Sequence, residues 1–340
     1  MTDRMSPKER VGAFLTGKPV DRLPCVPLIL NHAARVLGVP VKAFATDGLL
    51  MGRANVTAFR RYRQDLITIF TDTAMVAEAM GTVLHFPEDD AARVKTPVVA
   101  EPADLGKVRE IDGRRSGRLP VYLEAIRHCV REAGDEVFVS CCYPAPFTTA
   151  ALVRGTAMLA RDLIRNPALA HALLEKCRVA CEAFAEAVAE AGGIPVLVDP
   201  VASGSVISRA AYAEFALPYT KSVLGRIAAL GHVPMLHVCG RTSTIIDLMA
   251  DTGAAALSID QIDLAEAKEK VGGRVCLMGN VRPTETLLGG TPETVMAEAR
   301  QCLALAADSP RGFILASGCE VPIATPPENI LALMDAARMN

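Results

Sequence analysis

Three side chains in the second half of the chain have the chemistry of a metal site. His237 and Cys239 lie two residues apart in a His-Val-Cys-Gly sequence, and Cys319 follows much later in Ser-Gly-Cys-Glu. One imidazole and two thiolates are the ligands that a borderline-soft ion such as Zn²⁺ prefers. Three protein ligands leave one position open, which is typical of a catalytic zinc site. A thiol bound there would be held as thiolate, its nucleophilic form.

The composition indicates a globular protein with a large core. Hydrophobic residues make up 51% of the 340 residues and charged residues 22%, so nothing in the composition indicates disorder. The net charge of −2 gives no electrostatic reason to expect nucleic acid or an anionic membrane as a partner.

The chain shows no sign of export or membrane insertion. Its N-terminus is polar and lacks the apolar centre of a signal peptide, and no apolar run is long enough to span a membrane. The ten cysteines are scattered rather than densely spaced. We therefore expect a cytoplasmic protein with reduced thiols, in which a His/Cys/Cys set is metal-binding or catalytic rather than part of a disulfide framework.

Eight short apolar runs have the composition of buried strands. They are rich in β-branched and aliphatic residues without strict alternation, as expected when both faces of a parallel sheet are covered. The predicted strands are Pro24–Leu30, Leu66–Phe70, Val137–Cys142, Pro195–Val198, Val233–Val238, Ala255–Ile259, Val275–Met278 and Phe313–Ala316.

Amphipathic segments separate most of these strands and predict covering helices. They include Leu169–Ala191, Arg209–Leu230, Thr242–Thr252, Pro292–Ala307 and Pro327–Arg338. Eight strand–helix units in one chain of this length favour a single (β/α)8 TIM barrel over residues 1–340. An open doubly wound sheet is the alternative, and no Gly-x-Gly-x-x-Gly follows the first strand to support its nucleotide-binding form.

Two segments depart from the strand–helix alternation. Residues 71–119, rich in Pro, Gly, Asp and Arg, are predicted to form an inserted cap after the second strand. Pro7–Leu15, before the first strand, is predicted to be a short helix at the bottom of the barrel.

The predicted fold places the three candidate ligands together. Active sites of TIM barrels lie at the carboxyl ends of the strands. His237 ends the fifth strand, Cys239 follows on the same side of an extended segment, and Cys319 follows the eighth strand. Asp260, one residue beyond the sixth strand, is a candidate fourth ligand. A helix cap or turn residue is the alternative role for Asp260.

Other polar residues follow the remaining strands. Asp199, after the fourth strand, and Asn280, after the seventh, are candidate catalytic residues. His32 at the end of the first strand and Arg282 after the seventh are candidates for binding a cofactor or an anionic group of the substrate. Ordinary capping and loop roles are the alternatives for these four residues.

Four motifs resemble the uroporphyrinogen decarboxylase superfamily. Within it, they are most similar to the zinc-dependent methylcobamide:coenzyme M methyltransferases and their bacterial corrinoid relatives. The motifs are Leu236-His-Val-Cys-Gly240, Met278-Gly-Asn-Val281, Ser317-Gly-Cys-Glu-Val-Pro322 and Thr325-Pro-Pro-Glu-Asn329.

The resemblance implies a TIM barrel that binds zinc through His237, Cys239, Cys319 and a carboxylate at the position of Asp260. Methyltransferase relatives commonly carry glutamate at that position, so the aspartate is a departure. The decarboxylases of the superfamily are metal-free and carry arginines just after the first strand. Here the corresponding loop, Asn31-His-Ala-Ala-Arg35, lacks the Arg-Gln-Ala-Gly-Arg pattern. Decarboxylation of uroporphyrinogen is therefore not expected.

The function implied is methyl transfer between a methyl-corrinoid and a thiol, with coenzyme M as the family precedent. The chain contains no Asp-x-His-x-x-Gly corrinoid-binding motif, so the corrinoid is expected on a separate, transiently docked protein. Two alternatives stay open. One is a methyltransferase that moves a methyl group from a methoxyl or methylamine compound onto the corrinoid. The other is an accessory protein with a structural metal. The sequence does not indicate an oligomeric state.

Overall fold

A parallel eight-stranded sheet forms the centre of the molecule. The computed structural model describes residues 3–339, and the order of the strands around the sheet is β1-β10-β9-β8-β7-β6-β5-β2. The two end strands approach each other, because the N–H of Asp65, just before β2, donates to the carbonyl of Cys25 in β1 at 3.0 Å. The sheet is thus a nearly closed barrel, and the predicted TIM barrel is confirmed.

All eight predicted strands are present, and two further strands lie outside the barrel. The strands are β1 (Cys25–Val26), β2 (Leu66–Ile69), β3 (Val83–His85), β4 (Arg93–Thr96), β5 (Phe138–Pro144), β6 (Ile194–Val198), β7 (Met235–Arg241), β8 (Ala256–Gln261), β9 (Cys276–Val281) and β10 (Phe313–Ser317). Pairing in β1 ends earlier than predicted because Pro27, its next residue, has no N–H to donate to the sheet.

Helices cover the outside of the barrel. They are α1 (Pro7–Leu15), α2 (His32–Leu37), α3 (Val41–Thr46), α4 (Gly48–Tyr62), α5 (Met75–Ala79), α6 (Leu119–Ala133), α7 (Pro146–Arg154), α8 (Thr156–Arg165), α9 (Pro167–Glu190), α10 (Arg209–Ala211), α11 (Leu217–Ala229), α12 (Ile246–Asp251), α13 (Leu264–Val271), α14 (Pro292–Ala306) and α15 (Pro327–Arg338). Short 3₁₀ turns cover Pro102–Lys107 and Pro200–Ala202, and π-helical turns cover Tyr212–Ala216 and Pro283–Leu288.

The strands are apolar throughout because alternate side chains enter two different cores. In β9, Cys276 and Met278 point into the barrel, while Leu277 packs outwards against the helices. In β10, Ile314 likewise points inwards and Leu315 outwards. This arrangement explains why the runs lack the polar alternation of a half-exposed sheet.

The segment between β2 and α6 interrupts the barrel pattern, as predicted. It contains α5, the antiparallel pair β3–β4 and a 3₁₀ turn. The side chains of β3 and β4 are mostly exposed. Across residues 3–339, no helix is both long and apolar enough to cross a membrane.

The amino end of the barrel is closed by α1 and by a buried ionic cluster. Phe14 of α1 packs against the side chains inside the barrel. Asp65 accepts hydrogen bonds from Arg10 and Arg22, both at 2.6 Å, and from the N–H of Cys25 at 2.7 Å. This end of the barrel is therefore sealed, and the opposite end is the open one.

A candidate metal centre at the carboxyl end of the barrel

The imidazole of His237 and the thiols of Cys239 and Cys319 converge at the carboxyl end of the barrel. Their potential ligand atoms all lie within 4.8 Å of one another. His237 Nε2 is 3.2 Å from the sulfur of Cys239 and 3.6 Å from that of Cys319. A nitrogen and two sulfurs directed at one point are the donor set of a zinc site with an open position, so these residues fit that ion.

The two cysteines are also neighbours of each other. Their Cα atoms are 6.3 Å apart, a separation that suits a disulfide as well as two ligands of one ion. Because only thiolates bind zinc, the pair must be reduced for the metal to be held.

The backbone turns sharply where β7 delivers two of these side chains. The register between β7 and β8 shifts between Val238 and Arg241, and Gly240 has a φ of 73°. A Cβ at position 240 would lie 3.0 Å from the hydroxyls of Ser203 and Ser205. Glycine therefore permits both the left-handed turn and the close approach of the neighbouring loop.

A serine on the next strand orients the imidazole. Ser258 of β8 has its hydroxyl 2.9 Å from His237 Nδ1. Burial lowers the pKa of His237 to about 4, so the ring is neutral near pH 7. With Nδ1 protonated and donating to Ser258, Nε2 presents its lone pair to the two sulfurs. Nothing in the sequence distinguishes Ser258 from an ordinary strand residue, and it was not predicted as part of the site.

Asp260 lies beside the cluster and contacts both ligand-bearing loops. One carboxylate oxygen accepts a hydrogen bond from the N–H of Gly240 at 2.8 Å. The other would be 2.8 Å from a Cβ at Gly318. Asp260 is not among the residues whose ligand atoms converge, and its place as a fourth ligand stays a prediction.

Two of the other predicted site residues serve the framework around the barrel mouth. Asp199 is buried and accepts hydrogen bonds from the N–H and hydroxyl of Thr148, at 3.0 and 2.7 Å, which caps the start of α7. Burial raises the pKa of Asp199 to about 7. Asn280 of β9 donates from its amide to the carbonyls of Asp260 and Ile262, both at 2.8 Å, and so joins the carboxyl ends of β8 and β9.

The two residues predicted to bind a cofactor lie away from the cluster. His32 is buried at the start of α2, with Nδ1 donating to the carbonyl of Ile323 at 2.9 Å and Nε2 accepting from Tyr62 at 2.8 Å. Arg282 pairs with Glu298 at 3.0 Å on a separate cleft outside the barrel. Neither side chain lines the cavity that contains the cluster.

The cluster opens into a cavity of about 190 Å³ inside the barrel. Its wall combines the three candidate ligands with aliphatic and aromatic side chains and a few hydroxyls. Glu320, next to Cys319, contributes the carboxyl group, and its side chain accepts from the N–H of Asn31 at 3.1 Å. Burial raises the pKa of Glu320 to about 7. Glu320 belongs to the Ser-Gly-Cys-Glu motif but was not predicted as a cavity residue.

Comparisons with known proteins agree with this fold. The uroporphyrinogen decarboxylase (URO-D) family model matches residues 6–339. The methylcobamide:CoM methyltransferase MtbA of Methanosarcina mazei is 28% identical over 98% of this chain and 98% of its own length. A uroporphyrinogen decarboxylase of Chlorobaculum parvum is 33% identical over 70% of this chain and 69% of its own.

A solved structure shares the whole architecture. It is a methyltransferase from Methanosarcina mazei that superposes with a TM-score of 0.89, at 27% sequence identity, over 98% of both chains. The likeness extends over nearly the whole chain rather than over a fragment.

Proposed function

The chain belongs to the uroporphyrinogen decarboxylase (URO-D) family, and we propose that it is a zinc-dependent methyltransferase that moves a methyl group between a methyl-corrinoid and a thiol. The observation that carries this proposal is the convergence of His237, Cys239 and Cys319 on one point of the barrel cavity. The full-length similarity to a methylcobamide:CoM methyltransferase supports the same reaction class.

Within this proposal, His237, Cys239 and Cys319 hold the zinc ion, and the fourth position is left to the substrate. Zinc at this point would lower the pKa of a bound thiol, so that the thiolate is available at neutral pH. His237 is fixed by Ser258, and the Gly240 loop is fixed by Asp260. These contacts keep the donor atoms directed at the cavity rather than at solvent.

The proposed transfer is a displacement at carbon. The thiol loses its proton to solvent, and its sulfur forms a bond to the methyl carbon of the methyl-corrinoid. The cobalt–carbon bond breaks with both electrons remaining on cobalt, so Co(III) becomes Co(I). The cavity contributes by holding the sulfur in line with the incoming methyl group, which converts an encounter of two molecules into a reaction within one complex.

We place the corrinoid on a partner protein that docks over the carboxyl ends of the strands. The sequence contains no Asp-x-His-x-x-Gly motif with which to bind a corrinoid itself. The opposite end of the barrel is closed by α1 and its ion pairs. The methyl group therefore has to approach from the mouth, beside the segment that carries β3 and β4.

Incubating reduced, zinc-loaded protein with methylcobalamin and thiols tests the proposal. We expect thiol-dependent conversion of methylcobalamin to Co(I) or Co(II) cobalamin, followed by its absorption spectrum, and a stoichiometric amount of methyl thioether. The matched variants are Cys319→Ala, which removes a ligand of the cluster, and Cys129→Ala, which removes a buried cysteine of α6. Only the first should abolish zinc retention and methyl transfer.

Two other experimental results would contradict the proposed reaction or the proposed site. Methylation of Co(I) cobalamin by a methoxyl or methylamine compound, with no reaction of thiols, would indicate a methyltransferase that acts on the methyl donor. Full activity of Cys319→Ala without zinc would contradict the proposed site altogether.

A further inference from the structure

The cavity that contains the cluster is lined mainly by apolar side chains, and among the described residues that line it the one carboxyl group, that of Glu320, lies next to Cys319 rather than in the space below the sulfur atoms. Met235, His237 and Cys239 all line it from β7, and the four residue-to-residue steps from Met235 to Cys239 span roughly 13 Å. A second wall is formed by Leu66 and Thr68 of β2 and by Phe70, which directly follows this strand. The cavity thus continues well below the sulfur atoms, towards the closed end of the barrel.

The interior residues explain why this space exists. TIM barrels are usually filled by layers of bulky side chains. Here β5 contributes only Ser140 and Cys142 to the cavity wall, and β8 contributes Ser258. The hydroxyl of Ser140 is already bonded within the wall, to the carbonyl of Ile67 and to Thr68, both at 3.1 Å. It therefore offers little to a polar substrate.

No side chain brings a positive charge into the cavity. Among the described residues that line it, none is a lysine or an arginine. Arg118, a buried cation at the end of the segment between β2 and α6, is already paired with Asp72 at 2.8 Å and Glu78 at 3.0 Å. Arg282 is paired with Glu298 on another cleft. A sulfonate or carboxylate in the space below the cluster would thus be buried without a cationic side chain to pair with it, which is strongly unfavourable.

From these observations we infer that the thiol substrate has an uncharged, apolar body, which lies in the barrel interior below the cluster, and that it is not an anionic thiol such as coenzyme M. This inference rests on the proposed function, because it assigns the thiol of that reaction. The sulfur lies at the cluster, and the hydrocarbon part extends between Val196 and Met278 towards Met235.

A thiol series tests the inference with the reduced, zinc-loaded protein and methylcobalamin. The series is ethanethiol, propanethiol and pentanethiol, with coenzyme M and cysteamine as charged members. Because each buried methylene is worth roughly a fourfold change in affinity, kcat/KM should rise steeply with chain length. Pentanethiol should exceed coenzyme M and cysteamine at least tenfold. Calorimetric affinities for the corresponding methyl thioethers, without methylcobalamin, should follow the same order.

A variant with a larger side chain in the cavity wall provides a second test of where the hydrocarbon part of the thiol binds. Val196→Phe places a larger side chain in the apolar part of the wall and should reduce the ratio of kcat/KM for pentanethiol over ethanethiol to near one. Ile164→Phe, at a position 84% exposed on α8, is the matched control and should keep the full ratio.

The results separate this inference from the function on which it rests. Methylation of thiols with a preference for coenzyme M, or a flat dependence on chain length, would overturn the inference alone. No methylation of any thiol above the rate without protein would overturn the proposed function and the inference with it.

Discussion

The hydroxyl of Ser258 lies 2.9 Å from Nδ1 of His237, so that Nε2 is the ring nitrogen directed at the sulfurs of Cys239 and Cys319. Both residues are buried on neighbouring strands whose register pairs them directly. The hydrogen bond therefore holds the imidazole of His237 in a fixed orientation relative to β8.

Replacing Ser258 with Ala should therefore weaken zinc binding while leaving the fold intact. Loss of a hydrogen-bond partner of a ligating histidine typically lowers metal affinity about 10- to 100-fold. Competition with a chromophoric chelator measures the dissociation constant. Ser258→Thr keeps a hydroxyl at this position and should retain near-native affinity. Equal affinity in the native, Ala and Thr proteins would show that Ser258 does not orient the imidazole.

The contact between Asp260 and Gly240 yields a prediction about the fourth ligand. If the carboxylate acts only by holding the Gly240 N–H, Asp260→Asn should retain that acceptor and bind zinc with affinity within a few-fold of native. Asp260→Ala removes the acceptor and should weaken zinc binding about tenfold or more. A loss as large in the Asn variant as in the Ala variant would instead indicate that the carboxylate binds the ion directly.

The sequence alone predicted those parts of the structure that follow from local patterns. The eight barrel strands were identifiable because both of their faces are buried, which leaves continuous apolar runs. His237 and Cys239 were assigned to the same side because side chains two apart in a strand share a face. The position of Cys319 then followed from the barrel, in which all carboxyl ends of the strands share one rim.

Features that depend on tertiary contacts were not predictable in this way. His32 turns away from the cavity because Pro27 ends the pairing of β1 and Leu30 adopts a left-handed φ of 40°, after which the chain enters α2. The helix predicted over Arg209–Leu230 is interrupted by a π-helical turn just before Pro218, which has no N–H for the regular pattern. Pro27 and Pro218 mark in the sequence where the regular pattern can end, but the path that the chain takes afterwards depends on tertiary contacts.

The ion pairs at the closed end of the barrel should contribute strongly to stability. Asp65 is fully buried and is the shared partner of Arg10 and Arg22. Asp65→Ala would leave two buried guanidinium groups without this partner, and removal of one member of a buried pair costs about 3–5 kcal/mol. Urea-induced unfolding followed by circular dichroism measures this loss.

A surface ion pair supplies the control for that experiment. Arg209 pairs with Asp247, and both side chains are about half exposed. Arg209→Ala should therefore change the free energy of unfolding by about 1 kcal/mol or less. Similar losses in the Asp65 and Arg209 variants would contradict the role assigned to the buried cluster.

His32 should make the protein less stable in mildly acidic solution. Burial lowers the pKa of this histidine to about 4, whereas the unfolded chain should titrate near 6.5. Between these values the unfolded state binds more protons, so stability contributed by neutral His32 is present above pH 6.5 and is lost as the pH falls towards 4. A difference of about 2.5 units corresponds to about 3 kcal/mol.

A variant that cannot titrate isolates this contribution from those of other buried groups. His32→Gln keeps an amide donor and an acceptor for Ile323 and Tyr62 but carries no ionisable group. Its free energy of unfolding should be lower than that of the native protein at pH 7, because the two contacts will be less well matched. The gap between the two proteins should then narrow by about 3 kcal/mol as the pH is lowered from 7 to 4, since only the native protein loses the His32 contribution. A gap that stays constant over this range would show that His32 has the same pKa in the folded and unfolded states.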